Sequence, residues 1–223
     1  MNWIDNVSKS FASVVSSNLS LGHDQEEVIA YGAFALIQTL LSIFAIAAFG
    51  LLLGVFAESM IISFAAAILR KFSGGVHATK PLNCAVIGMI IFCVLGLLVK
   101  YLMINIEFVY LIGLMALEFA FVFYVMIKYS PVGSANKPLK NLDKRKRLKK
   151  QSLMFTLSML AVNIVLTYAY IFTNNINFLT VAVCISTGIL WQSITLVSLG
   201  HIIIESLDTF MGGTTILNRR ANK

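Results

Sequence analysis

The feature that most constrains this chain is a series of apolar stretches, each too long and too continuous for the core of a water-soluble protein. Four of them are long enough to cross a hydrocarbon layer of about 30 Å, which takes about 20 helical residues. They cover residues 82–99, 108–127, 153–172 and 178–204. Charged residues make up only 12% of the 223 residues, about half of the ~25% that is usual in soluble domains. The sequence therefore predicts an all-α polytopic membrane protein with a single membrane domain over residues 1–223.

A fifth apolar region, residues 28–69, contains a single charged residue, Glu58. As one helix it would be about 63 Å long, roughly twice the thickness of the hydrocarbon layer. It is therefore predicted to form either two short spans or one span followed by a re-entrant helix. Gly50 and Gly54 are the expected places for the break. About six transmembrane or re-entrant helices are expected in total.

The orientation of these helices is predicted from the distribution of lysine and arginine, which collect on the cytoplasmic side of membranes. The connection over residues 128–152 is the most basic part of the chain and is predicted to be a cytoplasmic loop. Residues 70–81 and the tail 205–223 are each separated from this loop by two spans. They are therefore also predicted to be cytoplasmic. The pairs of spans within 82–127 and 153–204 would each turn on the outer side.

Residues 1–27 precede the first span and are predicted to form an amphipathic helix on the inner leaflet. Trp3, Val7, Phe11 and Val14 recur near helical spacing, with Ser, Asn and Lys between them. An apolar stripe of this kind is typical of a helix that lies in the membrane interface.

The net charge of +7 resembles that of a nucleic-acid-binding protein until it is located. Residues 137–150 hold eight Lys or Arg and one acid, whereas the rest of the chain has equal numbers of acidic and basic residues. No aromatic platform accompanies the basic run, so nucleic acid is not an expected partner. Three cysteines without a CxxC spacing predict neither a disulfide framework nor a metal site, and no cofactor is expected.

One short polar segment, residues 70–84, carries residues suited to chemistry. Gly74 and Gly75 are adjacent, and His77 is followed by Cys84 seven residues later. On one continuous helix this spacing would separate the two side chains by about 10 Å along the axis, too far for a hydrogen bond. The glycine pair and the intervening proline make such a helix unfavourable.

A turn that presents His77, followed by a new helix beginning near Pro81, suits the segment better. Proline is favoured in the first helical turn, and Thr79 is a candidate cap. Cys84 would then lie where the positive end of the helix dipole favours a thiolate. A thiolate with a histidine beside it is a nucleophile and base pair of the cysteine-protease type. The alternative is that Cys84 is a small apolar residue at the start of a span.

Two motifs in this chain resemble those of the accessory gene regulator protein B (AgrB) family of bacterial membrane peptidases. The run RKFSGGVHA begins at Arg70 and is followed by Cys84 at the expected distance. The second motif is PV at 131–132, followed by NKP at 136–138 and then the basic run. The order of the motifs, the chain length and the multi-span pattern also agree.

The resemblance implies a membrane cysteine endopeptidase that cleaves a short AgrD-like propeptide. Cys84 would be the nucleophile and His77 the general base and acid, and the product would be a cyclic autoinducing peptide for quorum sensing. Gly74 and Gly75 would shape the loop, and Arg70 would position the substrate or anchor the segment at the interface. The implied location is the bacterial cell membrane, and the implied partners are the propeptide, lipids and a second copy in a homodimer.

The four consecutive basic residues Lys144, Arg145, Lys146 and Arg147 have two interpretations. They can attract the acidic tail of the propeptide through long-range charge. They can equally be topology anchors that contact anionic lipid.

Two other functions remain open from the sequence. A small transporter or channel would use polar residues within the spans, namely Glu118, Asn163, Gln192 and His201. A metal-dependent protease would use histidine and acid pairs such as His201 with Glu205, although no HExxH motif occurs. No third catalytic residue can be assigned, and the candidates are Asn83, Glu58, Glu107 and Glu118.

Overall fold

The computed structural model describes residues 3–75, 80–133 and 141–212, and within them the regular structure is entirely helical. The eight helices of these residues are, in chain order, α1 (Trp3–Leu19), α2 (His23–Leu52), α3 (Phe56–Ser73), α4 (Pro81–Asn105), α5 (Phe108–Tyr129), α6 (Leu142–Thr173), α7 (Ile176–Ile194) and α8 (Ser198–Phe210). Five of them, α2, α4, α5, α6 and α7, are long and apolar enough to cross a membrane. The predicted all-α, multi-span class is confirmed.

The outward faces of the helices are covered by large apolar side chains, which suits a lipid environment. Phe44 on α2, Val109 on α5 and Phe172 on α6 are each more than 70% exposed. In a water-soluble monomer, contiguous exposed apolar surface on this scale is rare.

Helix α7 is the centre of the bundle. It packs against α3, α4, α5 and α6, and more than half of the residues in its most apolar 18-residue stretch are buried. The largest interface joins α7 to α3, where Ile62 and Leu69 of α3 are fully buried and Ile189 of α7 lies in the same core. The position of α7 explains why its polar residues point at protein groups rather than at lipid.

The long apolar region 28–69 is broken at Gly54, one of the two predicted places, whereas Gly50 lies inside α2. Helix α2 ends at Leu52 and α3 begins at Phe56, and Gly54 between them has a φ of +68°. Lys100, near the end of α4, donates a hydrogen bond from Nζ to the Gly54 carbonyl oxygen at 3.0 Å. Helix α3 is not among the five candidate spans, so the choice between two spans and a re-entrant helix stays a prediction.

Helix α1 is amphipathic in an unusual sense, because three of its four buried residues are small. Ile4, Ser8, Ala12 and Ser16 are buried, and the helix packs against α2. The predicted apolar stripe remains on the exposed side, where Trp3 and Phe11 are each more than half exposed. The segment 1–27 also includes the first turn of α2, which begins at His23.

Two predicted boundaries are corrected. The stretch 178–204 is not one helix, because α7 ends at Ile194 and α8 begins at Ser198. The connection 128–152 is not a single loop, because α6 begins at Leu142 and includes most of the basic run. Asn141 caps α6 by accepting hydrogen bonds from the backbone N–H groups of Asp143 and Lys144, and Lys and Arg are good helix formers.

Candidate active site

Cys84 lies in the first turn of α4. The helix begins at Pro81, as predicted, and the backbone N–H of Cys84 donates to the Lys80 carbonyl oxygen at 3.1 Å. The N-cap position is Lys80 and not Thr79, which lies outside the described residues. The Cys84 side chain is half-buried and the thiol is free. The two other cysteines, Cys93 and Cys184, are buried in the bundle.

Arg70 lies in the last turn of α3, outside the five candidate spans, and its side chain is close to Cys84. Burial lowers the pKa of the Arg70 guanidinium, and the charge of the Cys84 side chain acts in the opposite direction and raises it.

Gly74 and Gly75, the double-glycine turn, follow α3 and are held by a glutamine of α7. The Nε2 group of Gln192 donates to the Ser73 hydroxyl oxygen at 3.0 Å and to the Gly74 carbonyl oxygen at 2.6 Å. Gln192 is 1% exposed, and its hydrogen bond to Ser73 is buried, where an unmade bond is costly. From the sequence, Gln192 is a candidate only for the transporter alternative. Its contact with the double-glycine turn cannot be predicted from the sequence around it.

The double-glycine turn fits its surroundings only without side chains. Gly74 has a φ of +73° and Gly75 a φ of +137°, conformations that other residues rarely adopt. A Cβ atom on Gly74 would collide with the Val132 carbonyl oxygen. A Cβ on Gly75 would lie 2.8 Å from the Thr195 hydroxyl oxygen and 3.2 Å from Gln192 Nε2.

The PV motif is in direct contact with this turn, although nearly sixty residues separate the two in sequence. The Val132 N–H donates to the Ser73 carbonyl oxygen at 2.9 Å, and an isolated parallel β-bridge pairs Val132 with Gly74. Ser130, just before the motif, shares a buried 2.9 Å hydrogen bond with Ser152 of α6. The NKP part of the motif, residues 136–138, lies outside the described residues.

His77, the predicted base, also lies outside the described residues. The structure therefore describes the two sides of the segment that carries it, up to Gly75 and from Lys80 onward. The assignment of His77 as general base stays a prediction.

The acids considered as third catalytic residues are distant from the turn that carries Cys84. Glu58 is about 18 Å from Arg70 along the axis of α3, and Glu107 lies beyond the far end of α4, about 30 Å from Cys84. Glu118 lies beside Ser186, about 9 Å along α7 from Gln192. Asn83 is different, because its side chain is bonded to Asp208 of α8.

Lys144, Arg145, Lys146 and Arg147 are exposed in the first two turns of α6. The rings of Phe155 on α6 and Phe72 on α3 are in contact, with centroids 6.1 Å apart. The four basic residues therefore extend about 12 to 16 Å beyond the level of Phe72 along the axis of α6. They lie beyond the end of the bundle that carries the double-glycine turn.

Two observations concern the residues that the alternative functions would use. No group of three or more metal-ligating residues occurs within residues 3–75, 80–133 and 141–212. Gln192, one of the residues of the proposed transport path, is engaged with the turn after α3.

The fold and the site together define a helical, multi-span membrane protein with a cysteine at a helix start and a glycine turn held by a buried glutamine. The AgrB family model, accessory gene regulator B, matches residues 8–196. The chain belongs to this family, as the motifs in its sequence predict.

Individual relatives agree with the family assignment. The chain is 37% identical over 210 residues to an AgrB-like protein of Clostridium perfringens (strain SM101), an alignment that covers 93% of this chain and 97% of the relative. It is 26% identical over 148 residues to the accessory gene regulator protein B of Staphylococcus aureus (strain MRSA252), covering 66% of this chain and 76% of that protein. No solved structure matches the chain.

Proposed function

We propose that this protein is a membrane cysteine endopeptidase that cleaves a short AgrD-like propeptide and promotes cyclisation of the product for quorum sensing. The single observation that carries the proposal is the position of Cys84, a free and half-buried thiol in the first turn of α4. The first turn of a helix directs backbone N–H groups toward its N-terminal end, where they can stabilise anions. Membership of the AgrB family supports the same activity.

In the first step, the Cys84 thiolate attacks the carbonyl carbon of the scissile amide and the C–N bond breaks. The departing nitrogen of the C-terminal tail takes a proton from the imidazolium of His77. The products are a thioester between Cys84 and the remaining peptide, and the free tail. N–H groups at the start of α4 are the type of donor that stabilises the oxyanion of such a step.

In the second step, a cysteine thiol within the peptide attacks the thioester carbonyl and gives its proton to His77. The Cys84 thiolate leaves, and the peptide closes as a thiolactone, whereas a serine would close it as a lactone. Exchange between two thioesters changes the free energy little, but forming the first thioester from an amide is uphill. Removal of the tail or of the product therefore drives the sequence of reactions.

The proposed orientation puts this end of the bundle in the cytoplasm of a bacterial cell. The basic first turns of α6 extend from that end, and Lys and Arg favour the cytoplasmic side. An AgrD-like propeptide made in the cytoplasm would thus meet Cys84 without crossing the membrane.

The test of the proposal is to find the covalent intermediate. Reconstituted protein is mixed with the propeptide encoded beside its gene, quenched in acid and digested, and the peptides are analysed by mass spectrometry. We expect an acyl adduct on the peptide that contains Cys84, which neutral hydroxylamine removes, together with free tail. Tail release without any adduct, or an adduct that maps to Cys93 or Cys184, would contradict the proposal.

The basic residues of α6 give a second expected result. Replacing Lys144, Arg145, Lys146 and Arg147 by glutamine should raise the KM for the propeptide about 5- to 10-fold and leave kcat unchanged. The reason is that these side chains attract an acidic tail before it binds and take no part in bond breaking. The measurement is tail release at low salt in a neutral detergent, where anionic lipid is absent.

A propeptide whose acidic tail residues are changed to amides is the matched control. It should show the raised KM with the wild-type protein and no further rise with the fourfold variant. If the fourfold variant has the wild-type KM in neutral detergent, the residues are topology anchors and the proposed substrate contact is wrong.

A further inference from the structure

A buried hydrogen bond connects α8 to the first turn of α4, which contains Cys84. The Nδ2 group of Asn83 donates to Oδ1 of Asp208 at 2.7 Å, and the two side chains are 6% and 4% exposed. Asn83 is the residue directly before Cys84. Asp208 lies after residue 196, where the match to the family model ends.

A second contact joins the same two segments. Nζ of Lys80 donates to the Gly212 carbonyl oxygen at 3.0 Å, just beyond the end of α8. Lys80 is the N-cap residue of α4, and a lysine side chain has no acceptor with which to cap a helix. The start of α4 is therefore held at Asn83 by α8 and at Lys80 by the residues that follow α8.

A buried carboxylate is a costly way to hold two helices together. A charged group loses favourable hydration on burial, and well-packed apolar side chains often give equal or greater stability. A charge-assisted hydrogen bond is however short and directional, so it fixes the rotamer of its partner. This contact is suited to fixing the geometry of one turn rather than to adding stability.

We propose that Asp208 is a positioning residue of the peptidase reaction, which holds Asn83 and through it the turn that presents Cys84. The inference rests on the proposed function, and it adds the C-terminal helix to the active site. In this role Asp208 acts on Cys84 through Asn83, as the acceptor of its hydrogen bond. An acceptor of the same shape at position 208 should therefore be sufficient.

The test compares variants that keep or remove the acceptor. Asp208→Leu and Asn83→Ala should each lower kcat for tail release about 10- to 100-fold with little change in KM, because small displacements of a reacting group have effects of that size. Asp208→Asn keeps an acceptor oxygen for Asn83 and should recover activity to within about 5-fold of wild type. The double variant Asn83→Ala/Asp208→Leu should be no worse than either single one, since both remove the same contact.

Glu205→Ala, which removes another acid of α8 one turn earlier, is the matched control and should retain wild-type kcat. A second readout, independent of the propeptide, is the rate at which iodoacetamide alkylates Cys84 in the folded protein. That rate should change in Asp208→Leu and return to the wild-type value in Asp208→Asn.

Wild-type kcat in Asp208→Leu, or an Asp208→Asn protein as impaired as Asp208→Leu in both readouts, would overturn the role of Asp208. Full activity in Cys84→Ala would instead overturn the proposed function, and the alkylation rates would still decide whether Asp208 holds the turn.

Discussion

Replacing Cys84 by alanine is expected to reduce tail release by at least about 10³-fold, to the level of a reaction without protein. A nucleophile that forms a covalent intermediate has no substitute within the site, and losses of this size or larger follow its removal in other hydrolases. The measurement is the initial rate of tail release by reconstituted protein, followed by mass spectrometry.

Cys93→Ala is the matched control, since it removes a thiol from the same helix two and a half turns further on. Cys93 is 3% exposed, and its loss should leave the rate within about threefold of wild type, at a cost in stability of about 1 kcal/mol for the removed sulfur. Equal rates in wild type and Cys84→Ala would exclude Cys84 as the nucleophile. Equal losses in both cysteine variants would mean that the thiols act through stability and not through chemistry.

Gly74→Ala is expected to have the second largest effect, a loss of about 100-fold in tail release. Gly74 has φ and ψ of +73° and −151°, a region that is essentially restricted to glycine, and its new Cβ would also meet the Val132 carbonyl oxygen. The turn would have to move away from Val132, which shifts the segment leading to His77. A displacement of about 1 Å near the reacting groups is enough for a loss of this size.

The control for this change is Gly113→Ala on α5. A Cβ atom at Gly113 meets nothing within 4 Å, and alanine is favoured over glycine in a helix by about 1 kcal/mol. This variant should keep the wild-type rate. A Gly74→Ala protein with wild-type activity would show that the double-glycine turn has no part in presenting the catalytic segment.

The parts of the fold that could be predicted are those that local sequence determines. The apolar stretches predicted the membrane helices by length, and Gly54 and Pro81 marked where one helix ends and another begins. The break between α7 and α8 could not be predicted. It contains Thr195, Leu196 and Val197, and none of these is a residue that signals a helix end.

The residues of the candidate site also fall into two groups, those that local sequence identifies and those that it does not. Cys84, Gly74 and Arg70 can be selected as candidates from the sequence, because all three lie within the short segment 70–84. Gln192 and Asp208 were not assigned to the site, because each reaches it from more than a hundred residues away and nothing in the neighbouring sequence indicates the contact. Such contacts depend on how α7 and α8 pack, which no periodicity within either helix specifies.

The long separation between these partners has a consequence for the timing of activity during synthesis. Asn83 and Asp208 are 125 residues apart, and Ser73 and Gln192 are 119 apart. At about 5 to 20 residues per second, a ribosome needs roughly 6 to 25 s to make the second partner after the first. A nascent chain that already contains Cys84 thus lacks the groups that brace its surroundings until the last helices have been made. Assembly of the candidate site is therefore coupled to completion of the bundle.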